Sequence, residues 1–257
     1  MQTLSLIGIG PGGPDLVTVQ AIEAMRKVDL FFLLDKEGRG KDTLIAAREA
    51  IMARYLESHR YRVVHAPSPP RARAPDGYLE VVQDWHARKR ALFAELIARE
   101  LGPDETGALL IWGDPSLYDQ SIRLFAELVA ERPSERRLVV IPGISAVQIL
   151  TARHAIPLNR IGEPVAITTG RQLEQGDPAD IHNTVVMLDG QGAFRHGLGQ
   201  GLDIYWGANL GTAEERLMAG PLDAVADELL ANLEQLRTAN GWLMDTYLLR
   251  RRRAGEE

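Results

Sequence analysis

Three short segments of the chain gather residues able to handle a small ligand. The first is Gly8-x-Gly10-x-x-Gly13, with Pro11 and Pro14 interleaved and the acids Asp29 and Asp35 downstream. Glycines at this spacing after an apolar run let a backbone approach a pyrophosphate, as in a dinucleotide site. Pro11 and Pro14 each remove an N–H that would face the phosphates. The nearest helix cap, Thr18, also lies well past Gly13. A tight strand-to-helix turn without a ligand is the plainer reading. The second segment is Trp112-Gly-Asp-Pro-Ser-Leu-Tyr118. Gly113 permits close backbone approach, Asp114 can accept from a hydroxyl or ammonium group, and Pro115 sets a turn. An ordinary turn is the alternative. The third, Ile141-Pro-Gly-Ile-Ser-Ala146, precedes a helical run. Ser145 and Ala146 are therefore first-turn residues whose free N–H groups suit a polar acceptor, unless Ser145 is simply a cap.

These segments need strands and helices to hold them. Residues 4–9 and 30–34 are short apolar runs without alternation, separated by a helical pattern over 19–28, and this is the mark of a parallel sheet. A helix is predicted over 42–55, a strand over 61–65, a proline-rich loop over 66–76, and a long helix over 78–101 that stops at Gly102-Pro103. A strand over 108–112 runs into the Gly113-Asp114-Pro115 turn, and there the domain boundary is placed: residues 1–114 and 115–257. In the second half strands are expected at 138–141, 165–169, 184–188, 204–208 and 242–248, and helices at 121–130, 144–153 and 223–236. The fold class is α/β with two domains, the first the more regular.

Composition narrows the function. The 29 Lys and Arg against 35 Asp and Glu leave a net charge of −6, which argues against a general nucleic-acid or anionic-membrane binder. The absence of Cys removes disulfides, thiolate metal sites and cysteine nucleophiles. The histidines show no metal-ligand spacing, so no metal is expected. No apolar run approaches a membrane span and no secretory leader is visible, so a cytoplasmic protein is the expectation. Arg250–Arg253 reads as a solvated basic run.

The three segments in this order, supported by Ala155-Ile-Pro-Leu158, Thr169-Gly170 and Asn209-Leu-Gly-Thr-Ala-Glu-Glu215, resemble the tetrapyrrole (precorrin/uroporphyrinogen) methyltransferase family over nearly the whole chain. The resemblance implies two α/β domains with S-adenosylmethionine held in the cleft between them, S-adenosylhomocysteine as product, a tetrapyrrole substrate and a homodimer. Asp35-Lys36, Lys41-Asp42-x-Leu44, and Trp112 and Tyr118-Asp119 flanking the Gly-Asp-Pro turn resemble the subgroup that methylates ring carbon 1 of precorrin-5 and releases acetate. Other precorrin methyltransferases of the family remain an alternative. So do a nicotinamide-dependent oxidoreductase built on the first glycine loop and a non-catalytic tetrapyrrole carrier.

By this resemblance Pro11, Trp112, Gly113, Asp114, Leu117, Ser145 and Ala146 border the cofactor. Asp189 stands where many relatives carry a Met that touches it, and Leu210 lies in a stretch expected to meet adenine through backbone groups. Asp35 matches, within a residue of register, an acid that serves relatives as a base, although an acid closing a strand can also just cap a turn. Loss of the acetyl group needs a base, and Asp35, His65 and Tyr118 are the candidates in that order. Lys36, Arg71 and Arg73 suit the carboxylate arms of the substrate; a solvated basic loop is the alternative for the two arginines.

Overall fold

The protein is described here from a computed structural model, which covers residues 1–35, 42–57, 60–70, 78–240 and 243–253. It divides into two compact units, Met1–Ile144 and Ser145–Glu257.

In the first unit β1 (Gln2–Gly8), β2 (Leu30–Asp35), β3 (Arg62–Pro67), β4 (Thr106–Ile111) and β5 (Arg136–Ile141) form one sheet in the order β3-β2-β4-β1-β5. Every pairing in it is parallel. The inner strands β1, β2 and β4 are almost wholly buried because both faces are covered, whereas the edge strands β3 and β5 are largely exposed. On one face α1 (Val19–Met25) and α2 (Asp42–Tyr55) bring Ala21, Met25, Ile51 and Met52 against Ile7, Phe31 and Leu110. On the other, α3 (Tyr78–Glu100) and α4 (Ser121–Ala130) bring Phe93, Leu96 and Phe125 against Leu6, Phe32 and Leu109. Phe93 stands edge-on to both Phe32 and Phe125, at 6.1 and 4.9 Å between ring centroids.

The connection leaving β2 runs through α2 on one face, and that leaving β4 runs through α4 on the other. The adjacent strands β2 and β4 thus mark a topological switch point, where ligands of open α/β sheets bind beyond the carboxyl ends. The two strands pair only at Leu30↔Gly107 and Phe31↔Ala108. β2 stays paired with β3 as far as Asp35↔Pro67.

The second unit holds a mixed sheet, β6-β7-β10-β8-β9, from β6 (Ala166–Thr169), β7 (Asn183–Met187), β8 (Leu202–Ala208), β9 (Arg216–Pro221) and β10 (Asp245–Arg251). Only β6 and β7 pair in parallel. Its helices are α5 (Ala146–Arg153), α6 (Gly170–Gln175) and α7 (Leu222–Asn240). Trp206, Tyr247 and Phe194 form the core with Leu222, Leu229 and Leu233 of α7.

The α/β class with two units is as expected, and two expectations are corrected. The boundary falls after Ile144 rather than after Asp114. The Gly113–Pro115 turn only folds the chain back through α4 to β5, which pairs with β1 from Gln2↔Arg136 to Ile7↔Ile141. The basic run is not a solvated tail at its start. Arg250 is buried on the central strand β10, where Nη2 donates to Pro157 O at 2.6 Å and Nε to Asn183 Oδ1 at 3.2 Å. Arg251 donates to Ile181 O, Gln200 O and Ala179 O at 3.2, 3.0 and 2.9 Å. Both guanidiniums satisfy carbonyls that loops leave without strand partners.

Candidate active site

The turns that leave β1, β4 and β5 meet at the carboxyl edge of the first sheet. Their glycines touch through backbone alone. A Cβ added to Gly143 would stand 2.1 Å from Gly113 O and 2.8 Å from the Gly8 carbonyl carbon; one on Gly8 would stand 2.5 Å from Gly143 N. Gly10 N donates to Gly113 O at 3.3 Å and Gly113 N to Gly10 O at 2.8 Å. Both residues take left-handed backbone, with φ +78° and +70°, which glycine adopts without a Cβ penalty. Gly8 and Gly143 are therefore required by packing of the turns on one another, and Gly10 and Gly113 by their left-handed backbone, whether or not a ligand approaches them. α1 begins only at Val19, capped by Thr18, whose Oγ1 accepts from Ala21 N at 3.1 Å. A short 3-10 turn, Pro14–Leu16, separates that helix from the glycines, so its N-terminus does not abut them as a dinucleotide loop requires.

Asp114 ties the turns together. Its Oδ1 accepts from Ser116 N at 2.8 Å and from the Ser116 hydroxyl, and its Oδ2 accepts from Gly143 N at 2.8 Å. Burial alone would raise its pKa, but the hydrogen bonds from Ser116 and Gly143 outweigh it and hold the carboxyl below its usual value. A carboxylate has about four acceptor positions, so one on Oδ2 is left for a ligand. Leu117 N closes the turn onto Asp114 O at 3.2 Å. Tyr118 follows with φ +54°, strained for a non-glycine residue, and it is 42% exposed. Partial burial raises its phenol pKa, which favours a proton donor over a base. Pro11 is buried in the β1 turn, and Trp112 is half-buried at the end of β4.

The remaining candidates divide. Asp35 closes β2 at the same edge of the sheet, although its side chain lies outside the described residues, as do Lys36, Arg71 and Arg73 entirely. His65 is exposed on β3, in register with Leu33 of β2. In the second unit Ser145 and Ala146 open α5. Ser145 Oγ accepts from Val147 N at 3.2 Å, and Ser145 N donates to Gln148 Oε1 at 3.0 Å, forming a capping box. Asp189 is engaged inside its own loop: Oδ1 accepts from Gln191 N at 3.0 Å, and Oδ2 from Ala193 N at 2.7 Å and Tyr247 Oη at 2.9 Å. Leu210 is buried, with its side chain against Gly207.

Sequence reasoning passed over three residues, Asp245 and the pair Arg48 and Lys89. Asp245, buried beside Asp189, accepts from Gly190 N at 2.8 Å and Trp206 Nε1 at 3.4 Å. Burial and the Asp189 charge push its pKa up to about 6. A lone acid in the apolar stretch Met244-Asp-Thr-Tyr-Leu-Leu249 was the available signal. Arg48 lies on α2 and Lys89 on α3. Nothing in their helices singles them out, because their position depends on where β2 and β4 stop pairing.

Fold and site together define an α/β protein with a doubly wound parallel sheet, interlocked glycine turns at its carboxyl edge, and a separate mixed-sheet unit. The sequence model of the Tetrapyrrole (Corrin/Porphyrin) Methylases matches residues 3–226, and the chain belongs to that family. It is 42% identical over 251 residues to precorrin-6A synthase [deacetylating] of Sinorhizobium sp, covering 98% of this chain and 96% of that protein. It also resembles the crystal structure of a cobalamin-synthesis-related protein (CobF) from Corynebacterium diphtheriae, at TM-score 0.81 and 38% identity over 97% of this chain and 98% of that one. A uroporphyrin-III C-methyltransferase from Thermus thermophilus, solved with S-adenosyl homocysteine, shares the fold at TM-score 0.58 and 18% identity, over 96% of this chain and 92% of that one. Among the described residues no helix is long and apolar enough to cross a membrane.

Proposed function

We propose that the chain is an S-adenosylmethionine-dependent C-methyltransferase of cobalamin biosynthesis that methylates ring carbon 1 of precorrin-5 and releases acetate, giving precorrin-6A. The observation that carries this reading is the 42% identity, over nearly the full length of both chains, to a precorrin-6A synthase. The residues of the first unit fit the cofactor. Asp114 keeps its charge and one free acceptor position for a ribose hydroxyl or an ammonium group. Gly113 and Pro11 present backbone at the edge, and Trp112 and Leu117 supply apolar surface. Ser145, Ala146, Asp189 and Leu210 are proposed as contacts from the second unit, the last two through backbone, since their side chains are engaged or buried.

Bound there, the cofactor supplies an electrophilic methyl group. The protein's task for methyl transfer is chiefly to hold two reactants in line, which can account for several kcal/mol of the barrier. Acetate release asks more of the chain. Water must add to the acetyl carbonyl, the bond to the ring breaks, and its electron pair returns to the conjugated macrocycle. Asp35 is proposed to take the proton from that water, with His65 as the second candidate. Tyr118, whose phenol resists ionisation, is better suited to donate a hydrogen bond to the carbonyl oxygen. Lys36, Arg71 and Arg73 are proposed to meet the substrate's carboxylates. The protein is proposed to act as a cytoplasmic homodimer.

The test is incubation of purified protein with S-adenosylmethionine and precorrin-5, followed by mass spectrometry of the tetrapyrrole and assay of free acetate. One methyl gained together with the acetyl group lost is the expected result. A methyl gained with no acetate released, or turnover only on another precorrin, would assign it to a different precorrin methyltransferase. Thermal stabilisation by NAD or NADP but not by S-adenosylhomocysteine would overturn the reading altogether.

A further inference from the structure

The pairing of β2 with β4 ends at Phe31 and Ala108, at the switch point where an open α/β sheet forms its crevice. Ile111 O receives Ile9 N of β1 at 2.9 Å, so the preceding carbonyl, Leu110 O, faces the β2 side, past the last pair of β2 with β4. A guanidinium takes the place of the missing strand: Arg48 Nε donates to Leu110 O at 3.1 Å. Its charge lies 5.9 Å from the centroid of the Trp112 ring. From α3, on the opposite face of the sheet, Lys89 Nζ stands 5.3 Å from the Trp85 ring centroid. Trp85 is itself held by Nε1 donating to Pro69 O at 2.9 Å.

The two cations stand close enough to repel. Burial lowers the pKa of Lys89, Asp119 partly offsets that, and Arg48 pushes it down further. Burial takes Arg48 to about 10, again with Asp119 opposing. Asp119 Oδ1 accepts from Ser121 N at 2.7 Å, and its carboxylate acts on Lys89 as a nearby charge. Lys89 makes no hydrogen bond or ion pair among the described residues, although its side chain is half-buried. An ammonium withdrawn from water without an acceptor is costly to keep, and an incoming anion relieves that cost.

We propose that this crevice is a carboxylate subsite, in which the Lys89 ammonium, backed by the Arg48 charge, takes a carboxylate arm of the tetrapyrrole. The inference rests on the precorrin reading given above. It adds two substrate-positioning residues at the switch point of the sheet, beside the Trp112–Asp114 turn. The substrate is favoured as the source of the carboxylate because the amino-acid end of the cofactor carries its own ammonium group and offers no net negative charge there.

The experiment compares wild type, Lys89→Gln and Lys89→Arg in three measurements: KM for precorrin-5, binding of uroporphyrin III by tryptophan fluorescence, and binding of S-adenosylhomocysteine by calorimetry. Lys89→Gln should raise KM about 10- to 100-fold, the loss expected for one charge-assisted hydrogen bond. It should weaken uroporphyrin by a similar factor, leave S-adenosylhomocysteine within about twofold, and be largely rescued in Lys89→Arg. KM in Lys89→Gln within about twofold of wild type would overturn the subsite while methyl transfer itself stands. Weakened S-adenosylhomocysteine with unchanged KM would give the crevice to the cofactor and overturn the substrate assignment. A wild-type protein that neither binds S-adenosylhomocysteine nor methylates precorrin-5 would instead overturn the functional reading.

Discussion

Replacing Gly143 by Ala tests whether the three turns are locked by backbone contact. The added Cβ would lie 2.1 Å from Gly113 O, against 3.4–4 Å for an ordinary contact, and its other near neighbours are backbone atoms of Gly8. No side chain can swing away, so the turns must separate by about 1 Å, a displacement that overpacking makes costly at 1–3 kcal/mol. Separation also weakens the Gly143 N to Asp114 Oδ2 bond and the paired bonds between Gly10 and Gly113, each worth about 1 kcal/mol. A loss of roughly 3–5 kcal/mol follows, or a fall in Tm on the order of 6–20 °C for a protein of this size. Gly162→Ala is the matched control. Gly162 has φ +77° but nothing within 4 Å of the added Cβ, so that substitution costs only the left-handed conformation, about 1–2 kcal/mol. Differential scanning calorimetry of both variants decides it. A Gly143→Ala protein melting as high as Gly162→Ala would refute the interlocked turns.

Other consequences are as direct. Asp245 has a folded-state pKa of about 6, above the 3.8 of an unperturbed Asp, so its contribution to stability is fully present below pH 3.8 and is lost as pH rises through about 6. Asp245→Asn should therefore gain on wild type with rising pH, by up to about 3 kcal/mol at pH 8 relative to pH 4; urea melts showing a pH-independent difference would disprove it. Ser145→Ala removes one half of the α5 capping box and should cost about 1 kcal/mol in ligand-free melts, an effect that a ligand contact alone would not produce. Asp35→Asn should retain S-adenosylhomocysteine binding but slow acetate release, with methylated, still acetylated product accumulating by mass spectrometry. Equal loss of both steps would contradict the division of roles.

The first unit was legible because its inner strands β1, β2 and β4 bury both faces and so appear as mainly apolar runs, while the edge strands β3 and β5 are largely exposed. α2 and α4 match their predicted limits, Asp42–Tyr55 and Ser121–Ala130. The second unit was harder. β9 is an edge strand with mostly exposed residues, Arg216-Leu-Met-Ala-Gly-Pro221, and lacks a clean alternation. α6 has six residues, too few to show a period. The boundary was misplaced because a sharp Gly-Asp-Pro turn looks the same whether it ends a domain or only folds back to β5. The site segments were visible as motifs, but their mutual contact was not: Gly8, Gly113 and Gly143 meet only through sheet order. Arg48 and Lys89 were hidden for the same reason, since their crevice exists only where two non-consecutive strands stop pairing.

The place of β1 in the sheet bears on how the chain is made. It lies between β4 and β5, and Gln2 and Arg136, which pair across β1 and β5, are 134 residues apart. During synthesis one edge of the apolar strand Gln2–Gly8 must therefore wait for Thr106–Ile111 of β4, and the other must stay unpaired until Arg136–Ile141 of β5 has been translated. At about 5–20 residues per second, the longer wait lasts on the order of 7–27 seconds. Over that interval the nascent chain carries an exposed strand edge able to pair with the wrong partner. Pairings this distant in sequence also slow folding. Expression in the cell should accordingly be sensitive to chaperones that shield nascent apolar segments, even though the completed sheet hides both edges of that strand.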